Sequence, residues 1–122
     1  MNKDFRHTCF QELFEKELSD IQLLETKLSD NQSLRAEQLL QNTKDNIERI
    51  KNSIETYSDN WSYERIGKVE LISLKLGISE LIMDLTPKKV VISEWVKITD
   101  NHSTSSSAKF VNGILDKISN EL

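Results

Sequence analysis

Three glycines and one proline are spread through 122 residues, and this scarcity constrains the fold more than any other feature of the chain. A β-sheet reverses direction at every hairpin, and tight reversals draw on Gly, Pro, Asn and Asp. Here those punctuators are sparse, while Leu, Ile, Glu and Lys are plentiful. The sequence therefore predicts an all-α protein. Its length suits a single domain, and a chain of this size buries about two-thirds of its unfolded surface. Hydrophobic residues make up 37% and charged residues 30%, so a modest core under a heavily solvated surface is expected.

The same composition narrows the chemistry. Cys9 is the one cysteine and cannot staple a disulfide framework. The opening Met1-Asn2-Lys3-Asp4-Phe5-Arg6-His7 is charged where a secretory signal needs an apolar run, and no stretch reaches the 18 or so apolar residues of a membrane span. A cytoplasmic protein without membrane contact is the expectation. The net charge is −4, whereas general nucleic-acid coating goes with a basic excess. Residues 1–60 hold 8 basic and 12 acidic residues, while residues 61–122 hold 8 of each. Any polyanion would meet less repulsion in the C-terminal half.

Apolar periodicity divides the chain. Phe5, Cys9, Phe10, Leu13, Phe14 and Leu18 predict a first helix. Ser19-x-x-Gln22 reads as a capping box for a short second helix through Leu28. Ala36, Leu40, Thr43, Ile47, Ile50, Ile54 and Tyr57 recur at alternating spacings of four and three, predicting one long helix over about 33–57. Its shortness and the threonine favour a helical bundle over a coiled coil. Trp61 opens a short turn or helix to Gly67. From Val69 to Met83 nearly every face is apolar, which marks a helix buried all round. Thr86-Pro87 reads as an N-cap followed by Pro at the first helical position; that helix carries Val91, Trp95 and Ile98 inward. A last helix, from about Ser106, buries Phe110, Val111, Ile114, Leu115 and Ile118. Gly113 in its middle suggests a close neighbouring helix.

Catalytic residues do not converge. His7 and His102 are far apart and lack a metal-ligand companion at i+3 or i+4, and there is no C-x-x-C, H-E-x-x-H or glycine-rich phosphate loop. Cys9 sits on an apolar face, where an inert buried thiol is the simple reading. Glu64, Glu70 and Glu80 read first as solvated helix faces. No enzyme, cofactor or metal is expected.

The C-terminal half carries a distinctive order of words. Glu64-Arg65-Ile66 and Lys68-Val69-Glu70 precede Leu74-Lys75-Leu76 and Ser79-Glu80-Leu81. Pro87-Lys88-Lys89-Val90-Val91-Ile92-Ser93-Glu94 follows, and then Lys109-Phe110-Val111-Asn112-Gly113-Ile114-Leu115-Asp116-Lys117. With Arg6-x-x-Cys9-x-Gln11-x-Leu13-Phe14 near the start, the chain resembles the NusB family of bacterial transcription antitermination factors. The resemblance spans residues 6–18 and 61–119.

That resemblance implies a helical bundle of two three-helix subdomains at right angles, over about residues 1–58 and 59–122. It also implies a non-enzymatic adaptor that binds the ribosomal protein NusE and, with it, boxA RNA, supporting ribosomal RNA transcription by RNA polymerase. Carried over position by position, Arg6, Lys75, Lys89 and Lys109, with the aromatic Phe110, would face RNA. Phe14, Glu64 and Glu70 would meet NusE. Cations on phosphates and aromatic faces under bases suit single-stranded RNA, and carboxylates suit a basic protein. Each lysine is equally well explained as a solvated residue, and Phe110 as core. Two other readings remain open at this point: a protein-binding module that has lost RNA contact, favoured by the acidic N-terminal half, and a NusB-like domain of a ribosomal RNA methyltransferase. The sequence ends at Leu122 with no methyltransferase sequence after it, which favours the adaptor.

Overall fold

The computed structural model describes residues 4–18, 30–58 and 62–122. They form α1 (Phe5–Glu15), α2 (Asp30–Asp45), α3 (Ile47–Tyr57), α4 (Lys68–Met83), α5 (Lys88–His102) and α6 (Ser105–Ser119), with a 3₁₀ turn at Tyr63–Arg65. No strand occurs among the described residues, as the shortage of turn formers predicts. The short helix expected over 19–28 and the residue Trp61 lie outside the described residues.

α1 starts because Asp4 accepts the backbone N–H groups of Arg6 and His7 at 3.1 and 3.2 Å, satisfying donors that a helix start leaves orphaned. Phe5, Cys9, Phe10 and Leu13 are buried. The helix stops at Glu15, with Lys16 already extended, and Phe14 is left 42% exposed. The Cys9 thiol is buried, donates to the Ala36 carbonyl at 3.4 Å, and is pushed well above its ordinary pKa, chiefly by burial. It is inert packing.

The long helix of the sequence reading is two helices. Its apolar seam is real: Ala36, Leu40, Thr43, Ile50 and Ile54 are all buried. The break falls at Asn46, whose side-chain amide donates to the Asn42 backbone carbonyl at 2.9 Å and to the Asn42 side-chain oxygen at 3.0 Å. A short amide competing for helix carbonyls bends the backbone, here to φ −115° and ψ 18° at Asn46. The 3.6-residue pattern runs through such a bend, so periodicity alone does not show it.

α4 is the central element and touches each of the other five helices. Ile72 to Leu81 are buried apart from the half-buried Lys75. Close approach occurs at Gly77, where an added Cβ would lie 3.1 Å from Leu115 and 3.4 Å from Trp95. Gly113, which the sequence suggested for that role, faces open space. The start of α5 also differs from expectation. Pro87 occupies the N-cap, and the Thr86 hydroxyl accepts from Arg35 at 3.3 Å instead of capping. α6 is capped by Thr104, which accepts the Ser107 N–H at 3.0 Å.

Candidate functional site

Arg6 was expected to face RNA, and it turns inward. Its guanidinium donates to both Glu80 oxygens, at 2.8 and 2.7 Å, and only 6% of the residue is exposed. Glu80, which the sequence suggested was a solvated carboxylate, is 4% exposed and also accepts the Trp95 indole N–H at 2.8 Å. A buried carboxylate must be paired and hydrogen-bonded to stay charged, and three donors from α1 and α5 do this. Burial works against the Arg6 charge, but the hydrogen bonds and charge of Glu80 more than offset it, with Asp4 adding to them, and the arginine is held above its ordinary pKa. Arg6 therefore fastens α1 to the core.

Two of the expected protein-binding residues stand on elements that come together at one end of the bundle. Phe14 projects from the end of α1, and Lys68, at the start of α4, places its ammonium 4.5 Å from the ring centroid. Two residues on, and on another side of α4, Glu70 accepts the Ser107 hydroxyl of α6 at 2.5 Å. The inward neighbour of Phe14 on α1, Phe10, stacks on Phe14 at 6.0 Å and on His102, from the end of α5, at 4.7 Å. The starts of α4 and α6, the end of α1 and the end of α5 are thus linked by contacts at one end of the bundle, where Phe14, Lys68 and Glu70 stand. Lys109 is exposed in the early part of α6, and Phe110 beside it is half-buried against the core. Glu64 is exposed on the 3₁₀ turn that precedes α4.

The expected RNA-facing cations do not converge. Lys75 is half-buried, 5.7 Å from the Tyr63 ring, which also receives Lys51 at 5.2 Å. Burial lowers the Lys75 ammonium, the Glu17 carboxylate opposes that and Lys51 adds to it, leaving the amine below its ordinary pKa. Lys75 lines a groove of about 1230 Å³ whose walls include Phe14, Leu71, Lys44 and Lys68. Lys89 is exposed at the start of α5, where neighbouring Lys88 donates to the carbonyls of Ser119 and Leu122 at 3.1 Å each. That is the far end of α6 from Lys109, roughly 15 Å along the axis at 1.5 Å per residue.

Lys68, Gly67 and Ser107 were not singled out in the sequence, although each shapes this end of the bundle. Their signal was present: Lys68 and Gly67 flank Val69-Glu70, and Ser107 closes the Ser/Thr tract before Lys109. What sequence spacing lacks is the packing of α4 on α6. Among the described residues no cluster of three or more His, Cys, Asp or Glu could hold a metal ion, and no helix is long and apolar enough to cross a membrane.

Comparison with known proteins agrees with this architecture. The family model described as "NusB family" matches residues 2–120. The transcription antitermination protein NusB of Fervidobacterium nodosum is 34% identical over 122 residues, covering 98% of this chain and 81% of that protein. The protein of the same name from Natranaerobius thermophilus is 38% identical over 87 residues, covering 70% of this chain and 63% of that protein. That match spans less than two-thirds of the Natranaerobius relative. The structure of T. maritima NusB superposes with a TM-score of 0.87 at 30% identity, covering 99% of this chain and 94% of that one. The name these relatives carry describes a non-enzymatic role in transcription. With the helical order, the central α4 and a match over nearly its whole length, this chain belongs to the NusB family.

Proposed function

We propose that this chain is a transcription antitermination adaptor that binds a NusE-like ribosomal protein and, jointly with it, boxA-type single-stranded RNA, so that ribosomal RNA operons are transcribed to their ends. The observation that carries the reading is the end of the bundle where Phe14 packs on Lys68 and Glu70 bonds Ser107, joining α1, α4 and α6. It combines an exposed aromatic anchor with a half-buried carboxylate, the pair that a basic protein partner engages. Glu64 extends the acidic edge. RNA contact is assigned to Lys75, Lys89, Lys109 and Phe110; Arg6 is spent on Glu80.

A second reading has a specific observation in its favour. With Arg6 buried, Lys75 half-buried, and Lys89 on α5 beside the end of α6 that is far from Lys109, the expected cations are sparsely placed for RNA. A protein-binding module that leaves RNA to its partner fits this arrangement. Copurification followed by sequencing of the bound RNA separates the two. Enrichment of ribosomal leader RNA that needs both proteins supports the adaptor. Capture of the ribosomal protein with RNA contacts made only by that partner supports the second reading, and failure to capture the ribosomal protein overturns both.

A further inference from the structure

The Glu70 carboxylate is held by a bond on one side and given room on the other. Oε2 accepts the Ser107 hydroxyl at 2.5 Å. Oε1 lies over Gly67, where an added Cβ would fall 2.6 Å away. The backbone does not demand glycine there, since φ is −62°, a value open to any residue. The observed carboxylate pose uses the space, and a Cβ there would push the carboxylate out of that pose.

Ser107 is itself oriented. Its Oγ lies 3.0 Å from the Ser103 hydroxyl and 3.1 Å from the Thr104 hydroxyl. A hydroxyl has one proton to donate and a carboxylate has none, so the Ser107 proton goes to Glu70. The Ser103 and Thr104 hydroxyls then donate to Ser107. Direction is fixed along the whole chain of bonds, from the turn between α5 and α6 to the first turn of α4. A glutamate side chain ordinarily loses rotamer freedom when a cation docks on it; here that loss has already occurred on folding.

We propose that Ser107, with the room left by Gly67, is a positioning residue for Glu70, holding the carboxylate in the pose that receives a basic partner. The inference rests on Glu70 being a partner contact, as in the proposed function. It ties the partner surface on α4 to the opening turns of α6, where Lys109 and Phe110 stand, so that partner and RNA act on one shared turn.

The test is calorimetric titration of the full chain with the NusE-like ribosomal protein, with a thermal midpoint recorded for each variant. Ser107→Ala and Gly67→Ala should each weaken binding about fivefold, the scale of one ordinary hydrogen bond's net contribution. Ser107→Thr, which keeps the hydroxyl, should restore wild-type affinity. In a Glu70→Ala background neither change should add anything, because both act through that carboxylate. Wild-type affinity in Ser107→Ala, or an undiminished loss in the Glu70→Ala background, overturns the proposal. If Glu70→Ala weakens binding and Ser107→Ala does not, the positioning role fails and the partner surface stands. If Glu70→Ala binds as wild type, both fall.

Discussion

Arg6 and Glu80 are 74 residues apart in sequence and joined by two bonds, at 2.8 and 2.7 Å, inside the protein. Removing Arg6 strands the Glu80 charge, and removing Glu80 leaves Arg6 with Asp4, at 3.3 Å, as its remaining ion pair. We expect Glu80→Ala to cost about 3 kcal/mol, the low end for breaking a buried pair, because Asp4 compensates only in part. Arg6→Met combined with Glu80→Leu should recover only part of that loss, because apolar bulk replaces the pair while the buried Trp95 indole N–H loses its acceptor. Urea denaturation of the two single variants and the double variant measures this directly; a mild Glu80→Ala phenotype would contradict the assigned burial.

Leu76 is fully buried on α4. An unpaired carboxylate there costs several kcal/mol against a total stability of about 5–15 kcal/mol. Leu76→Asp should therefore give an unfolded chain by circular dichroism. A cooperative thermal transition near that of the wild type would refute the placement of α4.

Acid should loosen the start of α1. Burial raises the Asp4 pKa, but the hydrogen bonds from the His7 side chain and backbone, with the charges of Arg6 and His7, more than offset it, and the net is below the ordinary 3.8. A folded-state pKa below the unfolded one stabilises the protein above the unfolded value. That stability is lost as pH falls through the folded value. Asp4→Ala should cost about 1 kcal/mol near neutral pH through the lost cap. Asp4→Asn should keep the cap and flatten the acid limb of stability against pH. An acid limb unchanged in Asp4→Asn would remove the carboxylate from the explanation.

Charge reversal at Glu70 should separate partner from RNA. Glu70→Lys places like charge against a basic protein, and about a tenfold or greater loss of NusE affinity is expected. Circular dichroism checks that the variant is folded, and unchanged affinity in a folded variant excludes Glu70 from the interface.

For RNA, each lysine that neutralises a phosphate adds about 0.7 to the slope of log affinity against log salt. Lys89→Ala and Lys109→Ala should each make that slope shallower by about this amount in the ternary complex, while leaving NusE affinity intact. Phe110→Ala should lower RNA affinity if a base stacks on the ring, a contact worth about 1–3 kcal/mol. Loss of folding in Phe110→Ala would instead assign the ring to the core against which it packs.

Much of this was readable before the structure. The scarcity of turn formers gave the fold class, the all-round apolarity of Val69 to Met83 marked the central helix, and the order of words in the C-terminal half pointed to the family. What escaped was non-local. Position 6 seeks position 80 only once α1 crosses α4, so a basic residue matched to a basic cluster looked solvent-facing. Gly113 and Gly77 are indistinguishable in sequence, yet only Gly77 sits where Leu115 and Trp95 approach. The side chain of Asn46 breaks a helix through a local bond that an apolar pattern cannot register. Thr86 looks like a cap until Arg35 arrives from α2.

The placement of α4 also bears on how the molecule comes apart. A helix that forms a wall against all five of its companions cannot be exposed by peeling any one of them away. Its amide protons should then exchange with solvent only when the entire chain opens, and the slowest of them would report the global unfolding free energy. During synthesis the reverse holds: the residues before Lys68 lack their common wall until α4 has left the ribosome. The contacts around Phe14 and Glu70 draw on α1, α4 and α6 together, so they form only after Ser107 has been made.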